Sequence, residues 1–420
     1  MFKFIHAADI HLDSPLRGLS RYESAPIEEI RGASRKALQN LVQLALDEEV
    51  RFIVFSGDVF DGDWRDYNTG LFFVRQMTRL RQAGIRVFMA AGNHDAQSQI
   101  SRSLKLPDNV YRFSTRAFQT EKVEEINVAV HGRGFPSRAV SEDWVPGYPP
   151  PVRGMFNIGV LHTSVGGYTS HETYAPCSLS SLINKGYDYW ALGHIHKRET
   201  LNESPWVVFP GNIQGRHIRE EGPKGAMLIF VENDEVRDVA FQALDVVRWK
   251  NLIISAEVED DDDDIYEKVR ENLSEEISSA DGRILAIRIT VAGACAAHSA
   301  FMKNPEKWRN QFRSAALDIG QGDIWLEKIL FKTASPARSA EEEIDTLRSM
   351  IGYVREKEQQ EEALIKLGAE KLKGLREKLP PELFIAEDGF SIEDPDWLRQ
   401  SLREGLDNLI SNITKKGGLE

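Results

Sequence analysis

Short apolar runs alternate with stretches of helical apolar–polar spacing along the first 245 residues. The runs "RFIVFSGD", "IRVFMAAGNHD", "NIGVLHTS" and "YDYWALGHIH" are short, rich in β-branched and aromatic residues, and read as strands. Between them, Ala33 to Glu48 and Thr69 to Ala83 show the spacing of amphipathic helices. Strand and helix in alternation predict an α/β domain. Each apolar run ends in Asp, Asn or His, so functional groups are expected at the carboxyl ends of the strands.

From about 246 to 334 the pattern becomes strand, helix, strand, helix, strand: "VRWKNLIISAEV", Ile265 to Ser278, "ILAIRITVAG", Pro305 to Leu317 and "IWLEKILFK". A small α/β module is expected there. The acid run Asp260 to Asp264 is read as a solvated, dipole-favoured helix start rather than a cation site. Beyond 335 the chain turns helical and charged. Ser339 and Glu342 have capping-box spacing, and Ile344, Leu347, Ile351 and Val354 form an apolar stripe that resumes at Leu364 and Leu367. A last helix is predicted to start at Asp394-Pro395 and to carry Leu398, Leu402, Leu406, Leu409 and Ile413 along one side. These stripes suit either a docking partner or the two helices packing on each other or on the core. The expected organisation is therefore 1–245, 246–334 and 335–420.

Composition changes this picture in three ways. No apolar run approaches the roughly 20 residues that span a bilayer, and the start "MFKFIHAADIHL" lacks a signal pattern, so a cytoplasmic protein without a membrane role is expected. Cys177 and Cys295 stand far apart and read as ordinary thiols. The net charge of -13 divides as 27 basic and 30 acidic groups in 1–245, 12 and 16 in 246–336, and 13 and 19 in 337–420. An acidic chain carries no overall nucleic-acid footprint, so any DNA reading must rest on local chemistry.

That chemistry is concentrated at the strand ends. In an extended segment residues i and i+2 face the same way, which would point Asp9 with His11, and His194 with His196, into one volume. "FSGDVFD" adds Asp58, "AAGNHD" adds Asn93 and His94, and "VLHTS" adds His162. So many oxygen and nitrogen donors at strand ends suit a metal cluster. His6, His131, His171 and His298 are expected to be structural or superficial. Arg216, His217 and Arg219 in "GRHIR" could meet phosphates at the rim of such a site.

The ordered set D-x-H, G-D, G-N-H-D, H and G-H-x-H resembles the calcineurin-like metallophosphoesterase superfamily over most of residues 1–245. Within it the chain is most similar to bacterial DNA-repair exonucleases of the SbcD type, in particular the YhaO branch. The stretches that carry this are "FIHAADIHLDSPL", "YAPCSLSSLINKGYDYWALGHIHKRE" and "FPGNIQGRHIREEGPKG". The resemblance implies a sandwich of two mixed β-sheets flanked by helices, with a small α/β capping domain and C-terminal helices. It implies one metal on Asp9, His11, Asp58 and His196, and a second on Asp58, Asn93, His162 and His194. A shared Asp58 would set two divalent cations roughly 3.5–4 Å apart, the spacing that serves in-line displacement at phosphorus. Mixed imidazole, carboxylate and amide ligation suits Mn2+, Fe, Co, Ni or Zn, and the family points to Mn2+. His94 is implied to be the general acid, with Asp95 orienting its ring.

The run "GDVFDGD" departs from the Ser/Thr phosphatases, which place a phosphate-gripping arginine where this chain has Gly62. Eukaryotic repair nucleases of the superfamily have a histidine where Asp61 stands here, which leaves the role of Asp61 open. The implied function is a two-metal DNA nuclease in DNA repair, partnered through its C-terminal helices by an SbcC/YhaN-like coiled-coil ATPase related to SMC proteins. A homodimer is compatible with this reading. A small-molecule phosphodiesterase or phosphatase would use the same metals but needs neither extra segment. An adaptor that recruits an ATPase to DNA without cutting would not need a complete ligand set.

Overall fold

The computed structural model describes residues 1–14, 26–61, 67–97, 104–166, 174–336, 349–353, 356, 361–376 and 394–416. The chain divides into two compact units, Met1–Ala334 and Ser335–Glu420.

Three sheets build the first unit. Strands β1 (Phe2–Ala7), β2 (Phe52–Ser56), β3 (Arg86–Ala90), β4 (Val110–Arg112), β11 (Gly225–Glu232) and β12 (Glu235–Ala243) form a mixed sheet in the order β12-β11-β1-β2-β3-β4. Strands β5 (Gln119–Val123), β6 (Val128–Gly132), β7 (Phe156–His162), β8 (Tyr189–Gly193), β9 (Glu199–Glu203) and β10 (Trp206–Phe209) form a second in the order β5-β6-β7-β8-β10-β9. Neighbours β1, β2 and β3 run parallel, as do β6, β7 and β8, so their carboxyl ends share one edge of each sheet.

Alternation along each strand explains why the two sheets stack. Phe2, Phe4, Phe52, Val54 and Phe88 face Val130, Phe156, Ile158, Tyr189 and Val208 across a common core, where Phe4 stacks on Phe52 with ring centroids 4.9 Å apart. On the outer face of the first sheet, Ile5, Ile53, Phe55 and Val87 meet Leu38, Leu41 and Val42 of α1 (Ile27–Asp47), and Phe73, Met77 and Leu80 of α2 (Tyr67–Gln82). Outside the second sheet, Trp190, Leu192 and Phe209 pack with Trp144, Tyr148 and Leu182, the last on α3 (Leu179–Asn184). Both faces of the central strands are therefore dry. This is why they read as unbroken apolar runs rather than as alternating ones.

The third sheet is all parallel, in the order β13 (Val247–Ser255), β14 (Ile284–Ala294), β15 (Ile324–Ala334). It is covered by α4 (Asp262–Ser278) and α6 (Pro305–Gly320) over a core of its own, with the short α5 (His298–Lys303) between. Asp261 caps α4 in a capping box with Asp264, and Asp260 pairs with Lys268, so the acid run is a helix start. A separate cluster of Val247, Trp249, Ala286 and Trp325 seats this module against Ile30 and Ala33 of α1.

In the second unit α7 (Glu361–Arg376) packs on α8 (Pro395–Lys416). Asp394 opens α8 by accepting the Asp396 amide at 3.0 Å, and Leu398 is buried, while Leu367 and Leu409 stay exposed. Ser339, Glu342, Ile344, Leu347 and Val354 lie outside the described residues. No described helix is long and apolar enough to cross a membrane.

Candidate metal centre

Five loops leave the carboxyl ends of β1, β2, β3, β7 and β8 and converge. After β1 the chain continues alongside the loop that follows β2: Asp9 N donates to Gly57 O at 3.1 Å, His11 N to Asp58 O at 3.0 Å, and Leu12 N to Val59 O at 3.0 Å. The sequence pattern predicts that extended alternation aims the donors, and the backbone differs from that expectation. Asp9, His11, Asp58 and His194 have φ of 50, 43, 51 and 102°, each a left-handed kink in a residue other than glycine. Such conformations cost on the order of 1–3 kcal/mol each and mark functional loops. The cost is offset locally: the Asp9 carboxylate accepts the His194 amide at 3.0 and 3.2 Å, and the Asp58 carboxylate accepts the His94 amide at 2.9 Å.

The glycine of each motif leaves room for a carboxylate or ring beside it. A Cβ on Gly92 would fall 2.2 Å from Asp58 Oδ1. One on Gly57, itself at φ 101°, would fall 2.3 Å from His162 Nδ1. "GD" and "GN" are packing requirements of the centre as much as turns.

Asp9, His11, Asp58, Asn93 and His162 are all buried, and their donor atoms face one another. Ligand atoms of Asp9, His11 and His196 lie within 4.8 Å of one another, as do those of Asp9, Asp58 and His162, and those of His11, Asp58 and His94. His162 Nε2 is 2.8 Å from Asn93 Oδ1 and 3.4 Å from Asp58 Oδ2, and its ring lies 5.2 Å from that of His194. His11 Nε2 stands 3.2 Å from His196 Nε2. The far nitrogens are occupied: His162 Nδ1 donates to Ser56 O at 3.0 Å and His196 Nδ1 to Glu220 Oε1 at 2.7 Å. A second partner of this kind turns the Nε2 lone pairs inward, as in metal-ligating histidines generally. Inward lone pairs facing carboxylate and amide oxygens repel unless a cation or a proton lies between them.

Electrostatics agree with that geometry. Burial works to lower the pKa of His162, but Asp58 and Asp9 beside it prevail and push it up to about 9. Burial would raise Asp58, yet His162, His11 and His94 hold its carboxyl well below the usual range. His11 is pushed down to about 3 by burial and by the neighbouring Arg216. Asp58 and Asp9 thus favour a proton on His162, and a divalent cation at this site would compete with that proton.

His94 is placed differently. Its side chain is 37% exposed, and its Nδ1 pairs with Asp61 Oδ1 at 2.6 Å. Asp61 is in turn held by Ser14 Oγ at 2.5 Å. Asp95, expected to orient this ring, instead accepts backbone amides from Val59, Phe60 and Gly92 at 3.2, 2.8 and 3.1 Å. The reason is steric: after Asn93 the chain turns into a short 3-10 helix at Asp95–Gln97, and a fully buried Asp95 staples the two ligand loops from behind. Burial opposes a proton on His94, but the Asp61 hydrogen bond prevails and raises its pKa above the ordinary value.

Of the three rim candidates Arg216 reaches a proposed ligand, with Nη2 3.2 Å from His196 Nδ1 and 3.1 Å from Glu220 Oε1, while His217 Nε2 lies 3.7 Å from Glu220 Oε1. His217 and Arg219 are exposed, the Arg219 amide bonding His217 Nδ1 at 3.3 Å. His6 is structural, bonded to Tyr189 Oη, Ser56 Oγ and Leu192 O. His131 is buried between Thr120 Oγ1 and Asn157 Oδ1, and His298 meets Thr333 Oγ1. His171 lies outside the described residues. Glu220 is the residue sequence reasoning missed: "GRHIREE" offers two acids and nothing in the pattern marks which one turns inward.

The donor set fits a pair of divalent cations: imidazole, carboxylate and amide oxygen with no thiolate, Nε2 lone pairs turned inward at His162 and His196, and carboxylates shared between neighbouring donor groups. Residues 2–198 match the family model of calcineurin-like phosphoesterases. The chain carries a calcineurin-like metallophosphoesterase domain. Residues 249–334 match a second model, the middle domain of metallophosphoesterase YhaO, which takes in the β13–β15 module. Over 255 residues the chain is 36% identical to "Uncharacterized metallophosphoesterase YhaO" of Bacillus subtilis (strain 168), covering 60% of this chain and 62% of that relative. It is 22% identical over 418 residues to "DNA double-strand break repair protein Mre11" of Methanopyrus kandleri, covering 94% of this chain and 87% of the other. The protein of the same description from Saccharolobus solfataricus is 24% identical over 257 residues, 56% of this chain and 61% of that one. Calcineurin-like phosphoesterases use divalent metal ions, and the donor groups gathered here are candidates to hold them.

Proposed function

We propose that this chain is a two-metal-dependent DNA nuclease, a cytoplasmic repair enzyme that works with an SMC-like coiled-coil ATPase. The observation that carries the reading is the split within one cluster: buried, inward-aimed donors for cations beside a half-exposed His94 whose proton is held by Asp61. Asp9, His11, Asp58 and His196 would hold one cation, and Asp58, Asn93, His162 and His194 the other, with Mn2+ the expected metal. When bound, the cations supply positive charge that activates water and stabilises charge developing at phosphorus. His94 donates a proton to the leaving oxygen. Asp61 keeps that proton on the ring and the ring in place. Arg216 stands where a non-bridging phosphate oxygen would meet it, with His217 and Arg219 farther out along the strand.

The Mre11 relatives support a DNA substrate, and the segments beyond the phosphoesterase domain favour a polymer over a small molecule. Purified chain is expected to degrade labelled linear DNA and hydrolyse bis-p-nitrophenyl phosphate with Mn2+, and to do neither with chelator. Hydrolysis of the small ester with no cleavage of any DNA would leave a small-molecule phosphodiesterase. DNA binding without hydrolysis of either would leave an adaptor.

The C-terminal unit is proposed to dock the ATPase. Leu367 and Leu409, 51% and 46% exposed, remain on helices that already pack on each other, and such faces bind helices better than phosphates. A chain ending at Ser335 is expected to fold, bind Mn2+ and cleave the small ester, but to lose co-purification with its coiled-coil ATPase. Leu367→Asp with Leu409→Asp should do the same. A fall in the melting temperature of residues 1–334 with ATPase binding intact would assign these helices to stability instead.

A further inference from the structure

Between the metal centre and the β13–β15 module runs a strap, Gly211 to Gly222, that touches both. On its inner side the Glu220 carboxylate, 7% exposed, is ringed by donors. Its Oε1 lies 2.7 Å from His196 Nδ1 and 3.1 Å from Arg216 Nη2; Oε2 accepts from Arg216 N at 2.8 Å and from Asn212 Nδ2 at 2.9 Å. On the outer side, Gln214 Oε1 accepts from Val246 N at 2.9 Å and Gln214 Nε2 donates to Val247 O at 2.6 Å. Trp249 Nε1 donates to Gly215 O at 3.0 Å, and Gly222 N to Trp249 O at 3.0 Å. Ile218 completes the fastening by packing against the cluster that holds Val247, Trp249, Ala286 and Trp325.

We infer that Glu220 is a positioning residue of the metal centre, fixing His196 as a ligand and aiming Arg216 at phosphate, with β13 as its abutment. The inference rests on the metal-centre reading above. An imidazole has two tautomers, and only the one protonated on Nδ1 presents an Nε2 lone pair to Asp9 and His11. Ser56 O selects that tautomer for His162; for His196, 26% exposed and on a loop, the selecting group is Glu220. The same carboxylate supplies the counter-charge that lets Arg216, only 21% exposed, stay beside metal-binding histidines. One buried group therefore serves both a ligand and a phosphate grip. The module at 246–334 then braces the strap that carries Glu220.

The test titrates Mn2+ calorimetrically into chelator-stripped full chain for wild type, Glu220→Gln, Glu220→Ala and Trp249→Phe. Loss of such a supporting carboxylate typically weakens metal affinity about 10–100-fold, and that is expected for both Glu220 variants. Trp249→Phe keeps the ring packing and loses one donor, so a smaller loss in the same direction is expected. In the metal-free chain, long-range 1H–15N spectra should show His196 protonated on Nδ1 in wild type and a tautomer mixture in Glu220→Gln. A structural role alone would not move that signal. Wild-type Mn2+ affinity in folded Glu220→Gln, or an unchanged His196 tautomer, overturns the inference. A wild-type chain that binds no Mn2+ overturns the metal-centre reading instead.

Discussion

Asparagine in place of Asp58 is expected to abolish Mn2+-dependent hydrolysis while leaving the chain folded. Asp58 is buried with His162 and His11 around it, and its Oδ1 also accepts the His94 amide. Asparagine keeps an oxygen for that amide, so the loop after β3 retains its anchor. What it removes is the charge. Breaking a buried charge pair costs about 3–5 kcal/mol, roughly a factor of 10²–10⁴ in metal affinity. Elemental analysis of dialysed protein should find Mn2+ depleted, bis-p-nitrophenyl phosphate turnover should fall to background, and the circular dichroism spectrum should match wild type. Full Mn2+ occupancy with normal turnover would sink the shared-ligand assignment.

Alanine at His94 should instead leave Mn2+ bound and lower kcat by about 10²–10⁴-fold, the usual range for a general acid. The defect should shrink on esters with good leaving groups, which need little protonation. Asp61→Asn provides the companion measurement. His94 must carry its proton to act, and Asp61 raises its pKa, so activity is retained until pH climbs past that raised value. Without the carboxylate the proton is lost at lower pH. The alkaline limb of kcat should therefore move down in Asp61→Asn, in contrast to Asp95→Asn, whose partners are backbone amides. Loss of Mn2+ from His94→Ala would return His94 to the ligands.

The strands and helices that place the centre were legible because burial on both faces writes itself as dense apolar runs, and an amphipathic helix writes its period. The donors were legible because carboxylates and imidazoles at strand ends have little packing purpose. Their aim was not. Left-handed kinks at Asp9, His11, Asp58 and His194 depend on contacts between loops distant in sequence, such as Asp9 to His194, which no local pattern contains. That Asp61 and not Asp95 pairs with the His94 ring is illegible for the same reason: it depends on the turn at Asp95–Gln97 and on a loop distant in sequence. Glu220 needed the strap's attachment to β13 before its direction had meaning.

The place of β1 in its sheet also governs when the centre can come into being. Its neighbours are β2 on one side and β11 on the other, paired Phe4 with Phe52 and Phe4 with Ile229. During synthesis β1 must therefore wait for the whole stretch from Ala7 to Gly225 before its second edge is closed. Until Gly225–Glu232 emerges, the row of amides and carbonyls on that side of Phe2–Ala7, next to Phe2 and Phe4, has no strand to pair with. Exposed apolar edges of this kind invite pairing with other chains, and contacts this far apart in sequence form slowly. Asp9 and His11 follow the end of that same strand, so the first two proposed donors stand beside the strand whose second edge closes late. A nascent or clipped chain lacking β11 would carry every one of the proposed ligands, with the strand behind Asp9 and His11 still open on one edge.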